Sequence, residues 1–561
     1  MTDQSNPPSI YKPFRSMKRK LLTFLTPALL LIGTAFNASA YSAGDKIEES
    51  MGLTGLPSSS SSSKDAYFVF KVNEDGNSLT LTSAQFQTSG VLPQQYRGNI
   101  NITIPSTVEG LPVTAIGSSV FGGCSNVKSI NIPESVKEIG NDSFTGCRDL
   151  VTLNLGGVEK IGKGCFYFSG SDFQKALTKV DLSNVKVIGS NSFVNFPNPV
   201  DVTLSPDLES LGTGSFQGCP NVELEFPENS KYAVIDKIVY ECDGTGADKK
   251  PQRLLMLQPN FDDAIVNVPT TVTSIASRAF EGNSTIQSID LGNVQTVGNY
   301  AFMNCTKLVT VKGSENIINL GSSAFSDCTS LNAFTIGAQC TADASGIQSA
   351  LNGCTGLKSF EVEAGNPNLK AEDGVMFDKS GTTLIAYMCD NKTTYSVPQG
   401  VTTIADKAFN NVGSTLTQLT IGNDVTTIGS DLFLRNAASS LEHLTLGANV
   451  KSIGNTAFNN CDHISIVESL AVVPPTIPSQ WVFSHYTCYN AELRVPEEAK
   501  TAYKTANGWE EAFGDRVVTG VENVYIETTD NGAYYNLQGI RVGEPRAGQI
   551  YIHNNKKQIY R

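Results

Sequence analysis

The chain of 561 residues carries 54 acidic against 41 basic side chains, a formal net charge of −13, and only 4 histidines. That balance excludes a nucleic-acid binder, which needs a basic face to displace counterions from phosphate, and leaves little material for a histidine-rich metal centre. A hydrophobic content of 40% supports a packed core and excludes disorder throughout, while length alone, at about 100–200 residues per domain, suggests three to five compact units.

Residues 1–40 read as a secretory signal peptide. Lys18, Arg19 and Lys20 precede the apolar run Leu21 to Phe36, and Ala38-Ser39-Ala40 supplies the small-residue site, with cleavage after Ala40. The apolar run is too short for a spanning helix, which needs about 20 residues, and no later stretch qualifies, so the mature chain is expected to hold no transmembrane segment. Cleavage removes Lys12, Arg15, Lys18, Arg19 and Lys20 against Asp3, so a net charge of −13 becomes −17. Residues 41–65, with the serine run Ser58 to Ser63, read as a linker. Phe68-Val69-Phe70 and Leu79-Thr80-Leu81 within residues 66–100 predict an N-terminal β cap.

From residue 101 to 467 a repeat takes over. An aliphatic residue is followed five positions later by Phe eleven times. The pairs are Ile116/Phe121, Ile139/Phe144, Ile161/Phe166, Ile188/Phe193, Leu211/Phe216, Ile275/Phe280, Val297/Phe302, Leu320/Phe325, Ile404/Phe409, Ile428/Phe433 and Ile453/Phe458, mostly 22 or 23 residues apart. Leu351 marks a degenerate twelfth copy. Each copy continues into an alternating block such as Leu150-Val-Thr-Leu153-Asn-Leu155-Gly156, which is a strand pattern closed by Gly or Pro. The Ile-Gly-x-x-Ala-Phe segment predicts one turn of α or 3₁₀ helix. One unit of about 23 residues cannot bury its apolar edge alone, so the copies must stack around a continuous core. The expected fold class is an α/β repeat solenoid, a curved rod with one strand and one short helical turn per repeat. Residues 230–265 and 366–397 lack the pair and read as β-hairpin variants, with Asp243-Gly244 and Ser380-Gly381 as turn signals.

The copies Val136-Lys-Glu-Ile139-Gly140-Asn-Asp-Ser-Phe144-Thr-Gly146-Cys147 and Val450-Lys-Ser-Ile453-Gly454-Asn-Thr-Ala457-Phe458 closely resemble the repeat of BspA-type leucine-rich-repeat proteins of bacterial surfaces. That resemblance implies a cell-surface or secreted binding protein, often an adhesin toward host proteins. Residues 468–520, with Pro474-Pro475, Trp481 and Trp509, look like the C-terminal cap of such proteins. Residues 521–561, with Asn536-Leu537-Gln538-Gly539 and Gly548-Gln-Ile550-Tyr551, resemble the sorting segments of secreted Bacteroidetes proteins.

Seven of the 12 cysteines fall in one repeat column. Cys124, Cys147, Cys219, Cys305, Cys328 and Cys461 lie three residues after a repeat Phe, and Cys354 lies three after Leu351. A small apolar residue suits that column, although bridges between adjacent turns such as Cys124–Cys147 stay open. Cys165, Cys242, Cys340, Cys389 and Cys488 fall outside it and have no assignment from sequence. The repeat core is represented by Ile139, Phe144, Cys147, Val297, Phe302, Cys305, Ile428, Phe433, Ile453 and Phe458.

No nucleophile, phosphate-loop or zinc-protease motif is present, so no enzyme activity, catalytic residue, metal or cofactor is expected. His443 should point outward from a strand. His485, amid Trp481, Phe483 and Tyr486, reads as a buried, hydrogen-bonded side chain. The outward strand columns, from Asn131, Asn154 and Asp181 to Thr420 and Thr445, are short, polar and nearly free of aromatics. The 27-residue repeat around Tyr167, Phe168 and Phe173 offers either a contact patch or local repacking. The expected function is that of a non-enzymatic exported adhesin-like protein, at the cell surface or outside the cell, that binds a host or matrix protein or a neighbouring cell. The alternative is a structural envelope spacer without a specific ligand.

Overall fold

The computed structural model describes residues 41–50, 67–85, 100–520 (apart from 125–126, 168–176, 178, 196–200, 220–221, 229, 245, 259, 389–391, 413–414 and 434–439), and strands at 534–535, 541–542, 550–553 and 556–559. The leader with Ala40, the serine run, Phe168, Phe173 and Cys389 lie outside the described residues.

One turn shows how the sequence builds the whole. Val136 and Ile139 point inward, and Glu138–Ile139 forms a two-residue strand. The chain then rounds a corner to buried Phe144, Cys147 and Leu150, and returns through the strand Thr152–Asn154. Each short strand pairs in parallel with its equivalent one turn away, Ile116 with Ile139, Ile139 with Ile161 and Ile161 with Ile188. Stacking gives a β-solenoid of about 16 turns with little helix.

The corner differs from the helical turn that the sequence suggests. In all eleven pairs the residue three after the aliphatic member has a left-handed backbone, with φ between 52° and 69°. Gly, Asn and Asp adopt this conformation cheaply, yet Arg278, Tyr300 and Lys407 adopt it too. Hydrogen bonding between turns explains why. The N–H of Arg278 donates to Asn299 O at 3.0 Å, and that of Tyr300 to Ser322 O at 3.0 Å. The Phe N–H groups do the same, Phe280 to Ala301 O and Phe302 to Ala324 O, both at 2.7 Å. A helical corner would spend these donors within its own turn. The left-handed corner spends them on the next one.

Glycine after the aliphatic residue has a packing cause. A Cβ on Gly298 would lie 2.4 Å from Ser277 N, and one on Gly321 2.5 Å from Asn299 N. Successive turns approach too closely there for any side chain. In the turns that directly follow the two hairpins, the position is held by Ala276 and Ala405.

The short-strand sheet is cut into three stretches, and each opens with an antiparallel three-strand unit: Lys46–Ser50, Tyr67–Val72 and Leu79–Gln85, then Tyr232–Ile235, Ile238–Asp243 and Lys250–Leu257, then Leu369–Glu372, Val375–Asp378 and Thr383–Tyr387. The buried side chains form three clusters that follow the same division. The N-terminal hairpin and the two interruptions of the repeat are therefore one kind of element, used three times. Buried amides stitch the joints. Gln258 donates to Leu224 O at 2.7 Å and accepts from Leu224 N at 2.9 Å. Asn411 accepts from Gly353 N at 2.8 Å and donates to Leu351 O at 3.1 Å.

The sheet on the other side ends in six strands, from Thr394–Ser396 through Gln418–Ile421, His443–Leu446, Ile466–Ser469 and Glu492–Val495 to Val517–Thr519. It thus runs from the repeats into the C-terminal region without a break. Among the described residues α-helix is confined to Ala344–Ala350, N-capped by Asp343 in the degenerate copy, and to His485–Asn490, Lys500–Thr505 and Trp509–Phe513 near the end. The strands Tyr534–Tyr535, Arg541–Val542, Ile550–His553 and Lys556–Ile559 form a four-stranded antiparallel sheet of their own.

Candidate interaction surfaces

The interior absorbs the aliphatic, Phe and Cys columns of the repeat. Ile139, Phe144, Cys147, Val297, Phe302, Cys305, Ile428, Phe433, Ile453 and Phe458 are all buried. The phenylalanines stack as ladders. Phe121, Phe144, Phe166, Phe193 and Phe216 follow one another at 5.0–5.3 Å between ring centroids, and Phe280, Phe302 and Phe325 at 4.6 and 4.8 Å. In the third stretch Tyr387 starts the ladder on Phe409, and Phe458 passes it to Phe483, which meets Trp509 and Phe513.

The cysteine column lines these ladders. Five of its thiols are placed to donate to the carbonyl of the Phe one turn earlier: Cys147 to Phe121 O at 3.4 Å, Cys219 to Phe193 O and Cys305 to Phe280 O at 3.0 Å, Cys328 to Phe302 O and Cys354 to Phe325 O at 3.1 Å. The position calls for a small, mostly apolar residue with one weak donor, which describes Cys. The eleven described cysteines are all buried thiols outside any disulfide. Burial pushes the thiols of Cys124, Cys305 and Cys354 up to about 12. Cys165 directly precedes Phe166, a site held by Ser143 and Ser192 in neighbouring turns. Its thiol bonds Gly140 O at 2.9 Å, as Ser143 Oγ bonds Gly117 O and Ser192 Oγ bonds Gly162 O. Cys340 takes the column of Val136, Val158 and Val294: its N–H donates to Gly337 O as theirs donate to the carbonyls of Pro133, Leu155 and Leu291, each three residues earlier. Both assignments were readable by aligning the copies.

Outside, Asn131, Asn154, Asp181 and Thr203 are exposed as a polar column, while Asp290, Thr335 and Thr420 are half-covered. Tyr167 is exposed at the corner of the long repeat, its carbonyl accepting from Gly146 N at 3.2 Å. Phe168 and Phe173 lie outside the described residues.

Towards the C-terminus the outward columns change character. Thr445 and Glu468 are buried, Glu468 to 1% exposure, although both lie on strands whose register continues the polar column. Glu468 Oε2 lies 3.3 Å from His443 Nε2 and accepts from Thr445 Oγ1 at 3.4 Å, and Arg494 approaches Oε1 at 3.9 Å. His443 is therefore a half-covered member of a charged cluster and not an ordinary surface side chain. Arg494 also donates to Glu492 Oε1 at 2.6 Å.

His485 is exposed, contrary to the buried role suggested by its neighbours, because Ser484 caps the helix and turns Thr487 and Cys488 inward. Its ring rests on Tyr489, 4.5 Å between centroids. Tyr486, Tyr489 and Trp481 are exposed by 52%, 69% and 47%. Sequence reasoning treated this region as a cap alone, yet a signal was present: no Asp, Glu, Lys or Arg occurs from Ser469 to Ala491.

Among the described residues no group of three or more His, Cys, Asp or Glu is arranged to hold a metal ion, and no helix is long and apolar enough to cross a membrane.

The family described as "BspA type Leucine rich repeat region" matches residues 98–223, 263–372 and 385–501, as 6 copies. Among solved structures, a leucine-rich cell surface protein from Faecalibacterium prausnitzii is similar at 19% identity, covering 72% of this chain and 94% of its own, with a TM-score of 0.34. A leucine-rich repeat protein from Bacteroides ovatus matches at 16% identity over 77% of this chain and 98% of its own (TM-score 0.26). The pneumococcal vaccine antigen PcpA matches at 16% identity over 86% of this chain and 100% of its own (TM-score 0.28). No curated protein matches the chain.

Proposed function

From the premise that this chain belongs to the BspA-type leucine-rich-repeat family, we propose that it is an exported, non-enzymatic scaffold that binds a host or matrix protein, or a neighbouring cell, along its repeat surface. One observation carries this reading. The aliphatic, Phe and Cys columns that recur from copy to copy are spent inside, on the ladders and the inter-turn bonds, so the outward strand positions are released from the demands of the core. Such a rod presents a long surface whose composition can follow a ligand. The basic-apolar leader ending at Ala40 supports export, and residues 521–561 are taken as the sorting address.

The test is binding of purified residues 41–561 to immobilised matrix proteins and to whole cells. Saturable binding to one of them supports the reading, with Tyr167→Ala as the first surface probe. No saturable binding to any leaves a structural spacer as the better account. Deleting residues 521–561 should abolish surface display in the producing cell, and unchanged display would refute the sorting role.

A further inference from the structure

We propose that the solenoid bends at two joints built into it, one between Glu228 and Ser230 and one between Asn366 and Leu369, and that the three stretches they separate move as units. The inference concerns how the repeat surface is presented and holds whatever that surface binds. At each joint the sheets on both sides stop together. Ser210–Leu211 ends one short-strand sheet and Tyr232–Ile235 opens the next, while on the other side no ladder joins Asp201–Leu204 to Ile265–Asn267. The second joint repeats this, with Asn319–Leu320 before Leu369–Glu372 and Ser359–Val362 before Thr394–Ser396.

Within a stretch, adjacent turns are joined backbone to backbone. Among the described residues no such pair bridges the second joint, and only the turn from Ser230 N to Pro227 O bridges the first. Side chains take over. At the first joint Tyr232 Oη accepts from Leu211 N at 2.9 Å, the Gln258 amide holds both Leu224 groups, and Gln217 Nε2 donates to Glu281 Oε2 at 3.0 Å. At the second, Gln348 Nε2 donates to Asp406 O at 2.9 Å, Asn410 Nδ2 to Asn352 Oδ1 at 2.5 Å, and Asn411 bridges Gly353 N and Leu351 O. The Lys249 and Lys379 ammonium groups add bonds to the carbonyls of Glu228 and Ala364.

Packing adds no fixed angle. Tyr232, Val239, Leu255 and Met256 of the first internal hairpin belong to the cluster before it, and Ile238, Tyr240 and Leu254 to the one after. In the second, Leu369, Met376 and Ile385 belong to the cluster before, and Val375, Phe377 and Leu384 to the one after. Each hairpin therefore lays an apolar face on the preceding turns, and apolar contact is non-directional. A ladder holds strands about 4.8 Å apart through the backbone itself. A Gln or Asn reaches its partner through two or three side-chain torsions with several staggered wells, so the same bond survives over a range of tilts.

The experiment measures distance distributions in residues 41–561 by double electron–electron resonance. The nitroxides are carried on p-acetylphenylalanine, which leaves the buried thiols unlabelled. All probes sit in the outward strand column. The pair Thr103/Thr203 lies within the first stretch, Asp181/Asn267 spans the first joint, and Lys312/Ser396 spans the second. Distributions at least twice as wide across each joint as within the stretch are expected. Gln258→Leu should widen Asp181/Asn267 further and Asn411→Leu should widen Lys312/Ser396, with Thr103/Thr203 unchanged in both as the sign that the turns stay folded. Equal widths for the three pairs in the parent chain overturn the proposal. So does a variant that leaves the pair at its own joint unchanged, or one that widens Thr103/Thr203 as much as the joint pair.

Discussion

Cys328 Sγ donates to the main-chain carbonyl of Phe302 one turn earlier, at 3.1 Å. The thiol therefore does two things at once: it fills a narrow slot beside the stacked rings and satisfies a buried acceptor. It follows that the native chain should resist thiol reagents. The thiolate is the reactive form, and burial disfavours it at Cys124, Cys147, Cys305, Cys328 and Cys354. Native protein in Ellman's reagent is expected to show none of the eleven described thiols reacting on the timescale of a free cysteine, with full reaction after unfolding.

The same burial makes stability depend on alkaline pH. Burial raises the thiols of Cys305 and Cys354 from the ordinary 9.0 to about 12. Between those values the unfolded chain sheds thiol protons that the native chain keeps. Stability is then full below about pH 9 and declines as pH rises, by about 1.4 kcal/mol per thiol per pH unit. Urea midpoints at pH 8 and pH 10 test the sign. The double variant Cys305→Ala/Cys354→Ala should lose less between the two than the parent chain does.

The two residues found after the aliphatic member of the pair should differ in what their exchange costs. Gly298→Ala places a methyl carbon against Ser277 N, and overpacking of this kind costs about 1–3 kcal/mol. Ala276→Gly follows a hairpin and adds only backbone freedom, at about 0.5–1 kcal/mol. Denaturant midpoints of the two single variants check the order, and equal losses would refute the close-approach explanation.

Asn411 ties the third stretch to the second across 58 residues. Asn411→Ala leaves Gly353 N–H and Leu351 O without that partner in the interior, at a cost of about 1–3 kcal/mol. The damage lies at a joint, so a second unfolding transition is expected in calorimetry, together with new proteolysis near residues 351–411. A single transition shifted as a whole would show that the stretches remain coupled without this amide.

Removing Arg494 should cost more than neutralising its buried neighbour along with it. Arg494→Ala strips a cation from beside Glu468, a loss of about 3–5 kcal/mol for a fully buried pair and less here because Arg494 is partly exposed. Adding Glu468→Gln removes the stranded charge and should recover part of the loss. A double variant no more stable than Arg494→Ala would argue against an electrostatic role.

The fold was legible because a 22- or 23-residue spacing with an invariant aliphatic–Phe pair admits only stacked copies. Family and solenoid followed from those residues. The corner was misread as helical because Ile-Gly-x-x-Ala-Phe has the composition of a short helical turn. The deciding factor was where each N–H group finds its acceptor, and that acceptor belongs to the next turn. The exposed aromatics at Trp481, Tyr486 and Tyr489 were hidden for a related reason, since aromatic residues in a cap read as core until packing shows which side turns out.

Sequence by itself determined the repeat, the inward columns and the acidity, since these are properties of spacing and composition. Tertiary structure alone decided that the N-terminal hairpin and the two interruptions are the same starting element, and that Asn411 and Gln258 join the stretches. It also decided that His443 meets a buried Glu468 and that three aromatics face solvent. Each of these is a relation between residues on different turns, set by how the copies approach one another, and no spacing within a single copy encodes it.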